Sequence, residues 1–434
     1  MFQRSLMVLV LTLTAVFAFD ASAASVRLCR LGSGIYVYAD NAGGTPASDA
    51  FQSCIDDTTV TGLNLEPGIY RVDAPIVVWR KFRIGTAGLA SDIRNCQQMP
   101  AGWCARLLAS DSATACINDS TRCAAGKVSS GGLLQSLEAP GVVFDHLIID
   151  GNRAGRWGTE SWRKCPLKGG NVYGFNVKVD KCHGSPRCEF TYNLTTNALC
   201  GTGLQWDGDY GRIQGNAAYN NGLHNIRERR WADGLTILRN NGGIISDNHI
   251  VNSTDVGLIV GAASGAKIEG NWIEQPGVYA FAAMMLGNFK ETGTAGQSGD
   301  YRNAFVRYNT INCFGFNCGF GLNLGPDPWT PTIPVTDYEN IYGGTISQNS
   351  INGARMAVNF GGAGKSGIPV RVVNNTLTGA PSDPMDLHPS GSICANPGGI
   401  VQNLPRNGCE GSCGNYGEVD PLATSAFCFK ACWP

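Results

Sequence analysis

Two aspartates near the middle of the chain have the residue type and the spacing that acid–base chemistry requires. Asp233 and Asp255 each open a similar apolar segment, at positions 233–237 and 255–259. If one coil of a repeating β structure separates them, the two carboxylates stack about 5 Å apart, the spacing of neighbouring strands. Like charges at that distance raise the pKa of one carboxyl group and leave an acid beside a base. Such a pair cleaves glycosidic bonds, with retention when the carboxyl groups are about 5 Å apart and inversion at roughly 6.5–9.5 Å.

Two further aspartates precede this pair by about one coil. Asp207 and Asp209 come before Asp233 at an interval slightly longer than the one that separates Asp233 from Asp255, and we expect them on the rung above it. The predicted catalytic set is Asp233, Asp255, Asp207 and Asp209. An alternative interpretation is structural, because an Asp before Gly at a strand start often bonds only its own turn. A strand that begins at Asp233 also points this side chain inward with Leu235, so the catalytic interpretation requires Gly234 to turn the chain.

A charged run at residues 224–231 directly precedes Asp233. Arginine binds carboxylates through two parallel hydrogen bonds, and a Trp ring offers a flat face to a sugar. The predicted substrate-binding residues are His224, Arg227, Arg229, Arg230, Trp206 and Trp231. The same run fits two other interpretations: the base of a β-eliminating lyase acting on a uronate, with Asp residues that hold calcium, or a solvated loop with internal ion pairs. Outside the lyase interpretation, the sequence indicates no metal and no cofactor.

An irregular repeat of Asn-x-Ile or Asn-x-Leu runs through the centre of the chain. Its asparagines are Asn248, Asn271, Asn309, Asn349 and Asn375, and loop-like inserts lengthen two of the intervals between them. Short apolar segments and Gly/Asn turns between them predict a solenoid of stacked coils with parallel strands. In such a stack, amides at a fixed turn position can bond one another as a ladder. We therefore interpret the repeated asparagines as structural.

The N-terminal part of the chain predicts a cap for this solenoid. Residues 49–55 place apolar side chains at helical spacing after Asp49, a candidate N-cap. An alternating strand at residues 63–65, a Pro-Gly turn and a second strand at residues 69–72 follow. An amphipathic helix at this position can close the open end of a solenoid core.

These segments resemble the right-handed parallel β-helix proteins of the pectate-lyase-like superfamily. Residues 50–68 are similar to the helix, strand and Pro-Gly turn with which those proteins begin, and residues 142–152 to their strand followed by Asp-Gly-Asn. With the Asn repeat, the resemblance covers most of residues 45–380. It implies an all-β fold: a right-handed parallel β-helix with an N-terminal capping helix and disulfide-rich loops. The fold hosts hydrolases, lyases, esterases, epimerases and non-catalytic adhesins, so it implies no single activity.

The carboxylate spacing resembles that of polygalacturonase-type hydrolases of the same fold, in which an Asn-Thr-Asp-Gly segment precedes an Asp-Asp pair by about one coil. Residues 232–234 match in part, and Asp255 lies at the matching distance, but Val256 stands where the second Asp of the pair is expected. The resemblance implies a carbohydrate-active protein, and a glycoside hydrolase is the favoured interpretation. The alternatives are a polysaccharide lyase and a non-catalytic glycan-binding or surface structural protein.

Composition narrows the class of protein. The 434 residues include 57 Gly, 20 Pro and 34 Asn, which favour tight turns and strands over helix bundles. The net charge is −1, so bulk charge gives no reason to expect nucleic-acid binding. We expect a polysaccharide as the partner and a monomer with no membrane span.

The N-terminus and the cysteines indicate export. Residues 1–23 have a basic start, an apolar run and an Ala-x-Ala site, which predicts a signal peptide cleaved near Ala23 and a secreted or periplasmic protein. After export, the 17 cysteines favour disulfides over zinc ligands. Several cysteines lie close enough in sequence for local bridges, although the sequence does not fix their pairing: Cys96 and Cys104, Cys116 and Cys123, Cys182 and Cys188, and Cys313 and Cys318.

The sequence therefore predicts one elongated domain. We expect the β-helix to span residues 24–380, with Cys-rich insertions near residues 91–130 and 158–200. A Cys-rich tail is expected at residues 381–434.

Overall fold

The chain coils into three sheets that run along its length as a right-handed parallel β-helix, the fold that the sequence predicts. The computed structural model describes residues 42–111, 132–158, 175–224, 229–287, 299–315, 317–325, 341–354, 356–360, 368, 370–378 and 416–419. Each coil passes through the sheets in a fixed order, and we name them sheets I, II and III in that order.

Sheets I and II have 11 strands each. Sheet I contains β2 (Gly62–Leu65), β5 (Arg83–Thr86), β8 (Val143–Asp145), β11 (Glu189–Thr191), β14 (Arg212–Gln214), β19 (Ile244–Ser246), β22 (Lys267–Glu269), β25 (Phe305–Arg307), β28 (Thr345–Ser347), β31 (Val370–Val373) and β33 (Tyr416–Val419). Sheet II contains β1 (Ala42–Pro46), β3 (Gly68–Val72), β6 (Ala105–Ala109), β9 (Leu147–Asp150), β12 (Leu194–Thr196), β15 (Ala217–Tyr219), β20 (His249–Val251), β23 (Trp272–Glu274), β26 (Thr310–Asn312), β29 (Ser350–Asn352) and β32 (Thr376–Thr378). Neighbouring strands are parallel except for β33, which pairs antiparallel with β31.

Sheet III has nine strands, and several of them are longer. It contains β4 (Ile76–Val78), β7 (Leu134–Leu137), β10 (Val177–Cys182), β13 (Gly201–Gly208), β18 (Ala232–Arg239), β21 (Val256–Val260), β24 (Ala280–Leu286), β27 (Cys318–Leu324) and β30 (Met356–Phe360). A short antiparallel pair, β16 (Leu223–His224) and β17 (Arg229–Arg230), lies between β15 and β18.

Stacked aliphatic side chains fill the interior. On sheet II, Ile250, Ile273, Ile311 and Ile351 lie opposite one another on successive strands and are fully buried. This stacking follows from the sequence, since each Ile comes two residues after a repeated Asn and a strand alternates its faces. The core is therefore one continuous column along the solenoid.

The asparagine ladder is confirmed, and it begins two coils earlier than the sequence predicts. It lies at the turn between sheets I and II and contains Asn193, Asn216, Asn248, Asn271, Asn309, Asn349 and Asn375. Asn309 is typical: its Oδ1 accepts from the backbone N–H and the Nδ2 of Asn271 at 3.0 and 2.9 Å. Its own Nδ2 donates to Ile268 O at 3.0 Å and to Asn349 Oδ1 at 2.9 Å. The ladder thus satisfies buried backbone groups at a turn that water does not reach.

Removing one rung tests the ladder. We expect Asn309→Ala to lower the free energy of unfolding by about 3 kcal/mol, because each buried group left without its partner costs roughly 1–3 kcal/mol. Thr310→Ala is the matched control, since Thr310 is the next residue and is exposed. Denaturant unfolding of both variants measures the difference, and equal stabilities would show that the ladder contributes nothing.

Helix α1 (Ser48–Asp56) covers the first strand of sheet III. The side chain of Gln52 accepts from Val77 N at 3.0 Å and donates to Val77 O at 3.1 Å, so the edge strand β4 keeps its hydrogen bonds. Phe51 and Ile55 point into the core. The predicted N-cap is wrong: the helix begins one residue before Asp49, its N-cap is Ala47, and Asp49 lies in the first turn.

Three of the four close cysteine pairs lie within the described residues, and each forms a disulfide: Cys96–Cys104, Cys182–Cys188 and Cys313–Cys318. They indicate an oxidising environment outside the cytosol. Cys116 and Cys123, the tail cysteines and the predicted signal peptide lie outside the described residues. Within the described part of the chain, no helix is long and apolar enough to cross a membrane.

The predicted insertion at residues 158–200 extends too far. Residues 177–196 form β10, β11 and β12, a complete coil whose Asn193 belongs to the ladder. The cysteines of this segment misled the prediction because Cys182–Cys188 closes the turn between sheets III and I rather than a projecting loop.

Candidate active site

Asp233 and Asp255 meet at the start of neighbouring strands of sheet III. Asp233 is the second residue of β18, and Asp255 directly precedes β21. Leu235 lies opposite Leu258, and the same register puts Asp233 opposite Val256. The predicted pairing is therefore one residue out: Asp255 comes just before the position opposite Asp233. The two carboxyl groups still lie close enough for the charge of Asp233 to affect Asp255.

The Asp233 side chain is held by two hydrogen-bond donors. Thr236 Oγ1 donates to Asp233 Oδ2 at 2.6 Å, and Val256 N donates to Asp233 Oδ1 at 3.1 Å. Thr236 in turn bonds the hydroxyl of Thr202, which lies opposite Asp233 on β13.

The chain changes face at Gly234, as the catalytic interpretation requires. Leu235 and Ile237 lie in the core, whereas Asp233 bonds the side chain of Thr236, the residue between them. A side chain at position 234 would point towards Ile250 in the interior. Asp233 therefore faces away from the core with Thr236 and retains 9% of its exposure.

Burial governs the protonation of this pair. It raises the pKa of Asp233 to about 7, although the donors Thr236 and Val256 N–H oppose the rise by stabilising the carboxylate. Burial also raises the pKa of Asp255 well above its usual value, and the charge of Asp233 adds to the rise. Both carboxyl groups therefore keep a proton to a higher pH than an exposed Asp does.

Phe281 lies beside Asp255 on the neighbouring coil. The backbone carbonyl of Asp255 accepts from Phe281 N at 2.7 Å. The Phe281 ring packs edge-on against Phe320 at a centroid distance of 5.3 Å, and both rings are buried.

Asp207 and Asp209 do not join this pair. Asp233 lies opposite Thr202, whereas Asp207 lies opposite Arg239 at the other end of the same strands. Five residues along a strand separate the two positions by roughly 17 Å. Arg239 Nε lies 3.2 Å from Asp207 Oδ1 and 3.8 Å from Asp209 Oδ1. The predicted rung is wrong because both aspartates come at the end of β13, and they neutralise an arginine there.

The structure contradicts one of the predicted binding residues and leaves the others untested. Trp206 is fully buried in the core, so its prediction as a sugar-stacking residue is wrong. The parity of β13 explains this, since Trp206 lies two residues after the buried Leu204. Trp231 is half-buried two residues before Asp233 and stays a prediction. His224, Arg229 and Arg230 are described only through the backbone pairing of β16 with β17. Arg227 lies outside the described residues.

Sequence reasoning missed three contributors to the site. Thr236 and Thr202 form a hydroxyl chain behind Asp233, and Val256 contributes its backbone N–H. The spacing Asp-x-x-Thr was a usable signal once Gly234 was expected to turn the chain. The role of Val256 has no sequence signal, because a backbone donor does not depend on the side chain.

A methyl group at Gly234 tests the packing that presents Asp233. An added Cβ would lie 2.5 Å from Gly257 O and 2.6 Å from Ile250 Cγ2, so β18 and β21 must move apart. We expect Gly234→Ala to cost about 1–3 kcal/mol of unfolding free energy, as overpacked sites do. In the control Gly277→Ala, the nearest atom is Asn252 Nδ2 at 3.3 Å. Similar denaturation midpoints for the two variants would contradict the described packing.

No model of a known protein family matches the chain, and no curated protein matches it. Among solved structures, the chain is similar to a polygalacturonase from Erwinia carotovora ssp. carotovora, with 12% identity and a TM-score of 0.45 over 82% of this chain and 83% of that one. It is also similar to a hyperthermoactive exopolygalacturonase from Thermotoga maritima, with 11% identity and a TM-score of 0.43 over 81% and 82% of the two chains. The A-module of a mannuronan C-5 epimerase from Azotobacter vinelandii shows 13% identity and a TM-score of 0.40 over 78% and 92%.

Proposed function

We propose that this protein is a glycoside hydrolase that cleaves a polysaccharide with Asp233 and Asp255. One observation carries the proposal: two carboxyl groups with raised pKa values lie together at the start of neighbouring strands of sheet III. Hydrolysis of a glycosidic bond needs one carboxylic acid and one carboxylate on either side of the scissile bond. A carboxyl group that stays protonated beside a carboxylate would supply both.

The environments of the two residues support a different role for each. Asp233 receives the Thr236 hydroxyl and the Val256 N–H, and both donors favour its charged form. No donor among the described residues offsets the rise in the pKa of Asp255, which burial and the charge of Asp233 cause. Asp255 is therefore the acid that protonates the leaving glycosidic oxygen. Asp233 is the carboxylate that either removes a proton from the attacking water or attacks the anomeric carbon itself.

A depolymerisation screen with product masses tests the function. Purified protein is incubated with neutral and acidic polysaccharides, and the products are analysed by mass spectrometry. Hydrolysis adds one water per cut, which is the expected result. Products without added water and with ultraviolet absorbance of a new double bond would show an eliminating lyase instead. Absence of any product over the whole panel would contradict an enzymatic role.

A further inference from the structure

A second cluster of aromatic and titratable side chains lies on the outer face of sheet II. His249 on β20 is opposite Trp272 on β23, and Glu274 follows two residues later on the same strand. Tyr219 on β15 lies one coil before, opposite Val251. Strand alternation directs all four side chains outward, because Ile250 and Ile273 between them point into the core. The cluster is on a different sheet from Asp233 and Asp255.

Hydrogen bonds fix the His249 ring on both sides. Tyr219 Oη lies 2.7 Å from His249 Nδ1, and His249 Nε2 lies 3.1 Å from Glu274 Oε2. A neutral imidazole satisfies both contacts when Nδ1 accepts from the tyrosine and Nε2–H donates to the carboxylate. Burial and the charge of Glu274 raise the pKa of Tyr219 to about 12, so this hydroxyl keeps its proton. The ring therefore has one defined orientation.

The fixed imidazole supports an exposed indole. The Trp272 ring lies 5.3 Å from the His249 ring, tilted by 31°, yet 51% of Trp272 remains exposed. Because half of Trp272 is exposed, folding removes little of its surface from water. The neighbouring His249 ring sets its orientation. Such a preorganised ring loses little freedom when a ligand covers it.

A disulfide-closed loop borders the cluster. Cys96, Met99 and Cys104 pack on Leu194 and Ala217, and the partly buried Tyr219 packs against this group. This loop thus covers sheet II on the earlier coils and ends beside the Tyr219–His249 pair. On the next coil after Trp272, Thr310 is exposed. The cluster therefore lies at the boundary between the part of sheet II that this loop covers and a part that is exposed.

We propose that the cluster at this boundary is a saccharide-binding site. Trp272 is the stacking surface, and Glu274 accepts a hydrogen bond from a sugar hydroxyl. A pyranose ring has an apolar C–H face and a rim of hydroxyl groups, and the cluster offers a flat ring beside a carboxylate. The negative charge of Glu274 favours neutral sugars over uronates, which it would repel. The role that we propose for this site is to bind a polysaccharide. It would hold the polymer while Asp233 and Asp255 act elsewhere on the molecule.

Affinity electrophoresis in gels that contain a polysaccharide tests this site. The full chain carrying Asp233→Asn is used, so that any hydrolysis does not remove the ligand. The probes are xylan, galactomannan and hydroxyethyl cellulose as neutral polymers, and polygalacturonate and alginate as acidic ones. We expect at least one neutral polymer to retard the Asp233→Asn protein. A double variant that also carries Trp272→Ala should bind that polymer with a dissociation constant about tenfold higher, as the loss of a central Trp contact does.

Phe305→Ala is the matched control, because Phe305 is 42% exposed but lies on sheet I. It should leave the retardation unchanged, whereas Glu274→Gln should weaken it less than Trp272→Ala. Equal retardation of the Trp272→Ala and parent proteins in every gel would overturn the proposal, and so would a parent that no neutral polymer retards. Binding without products from the wild-type protein would refute the proposed hydrolase and leave this site intact. Products from the wild-type protein, together with unchanged binding in Trp272→Ala, would refute this site and leave the proposed hydrolase intact.

Discussion

Replacing Asp233 or Asp255 by Asn will reduce polysaccharide cleavage by about 10²–10⁴-fold, the usual contribution of a general acid or base. Asn keeps the size of the side chain, and at position 233 its Oδ1 can still accept from Val256 N. Its Nδ2 then faces Thr236 Oγ1, which can accept from the amide instead of donating to a carboxylate. It can neither give nor take the proton that the pair shares. Initial rates of product formation on the polymer identified by the screen measure the loss.

The double variant and a distant aspartate sharpen this result. The effects of replacing two groups that act as one unit do not add, so the double variant should be about as slow as the slower single variant. Asp247→Asn is the control: Asp247 is exposed at the turn between sheets I and II and accepts from Ser246 and Gln214 side chains. Wild-type turnover by Asp233→Asn or Asp255→Asn would show that the pair is only structural.

The fold was predictable because its strongest constraints repeat in the sequence. Each Asn of the ladder occupies one turn, and the Ile two residues later must then point inward. A repeat of this kind fixes strand direction and register together, even with coils that differ in length. The β10–β12 coil was missed because Thr195 stands two residues after Asn193, where the repeat has Ile or Leu.

The candidate site was predictable only in part. The spacing of Asp233 and Asp255 located it, since one coil brings equivalent positions onto neighbouring strands. The one-residue offset between Asp255 and the position opposite Asp233 could not be predicted from the sequence, because it depends on the length of the turns between Arg239 and Val256. Asp207 was misplaced for a related reason: Thr202, and not Asp207, lies opposite Asp233, so this coil is longer than the interval between Asp207 and Asp233.

The buried pair also predicts how stability depends on pH. The pKa of Asp233 is about 7 in the folded protein, against 3.8 for an unperturbed Asp. Between those values the folded chain holds a proton that the unfolded chain has released. The stabilising contribution is therefore complete below about pH 4 and is lost as the pH rises through 7. The difference between the two pKa values corresponds to about 4 kcal/mol, the largest stability effect that we expect.

Asp233→Asn removes this dependence, because an amide does not titrate. The variant should match the wild type in unfolding free energy near pH 4 and exceed it by an amount that grows to about 4 kcal/mol above pH 7. Other carboxylates act in the opposite direction, as Asp92 does, since the hydrogen bond from Arg94 lowers the pKa of Asp92. Comparing the two proteins at each pH cancels such contributions. Denaturant unfolding from pH 4 to pH 8 measures the difference, and parallel curves for the two proteins would mean that Asp233 is already ionised in the folded state and cannot share a proton with Asp255.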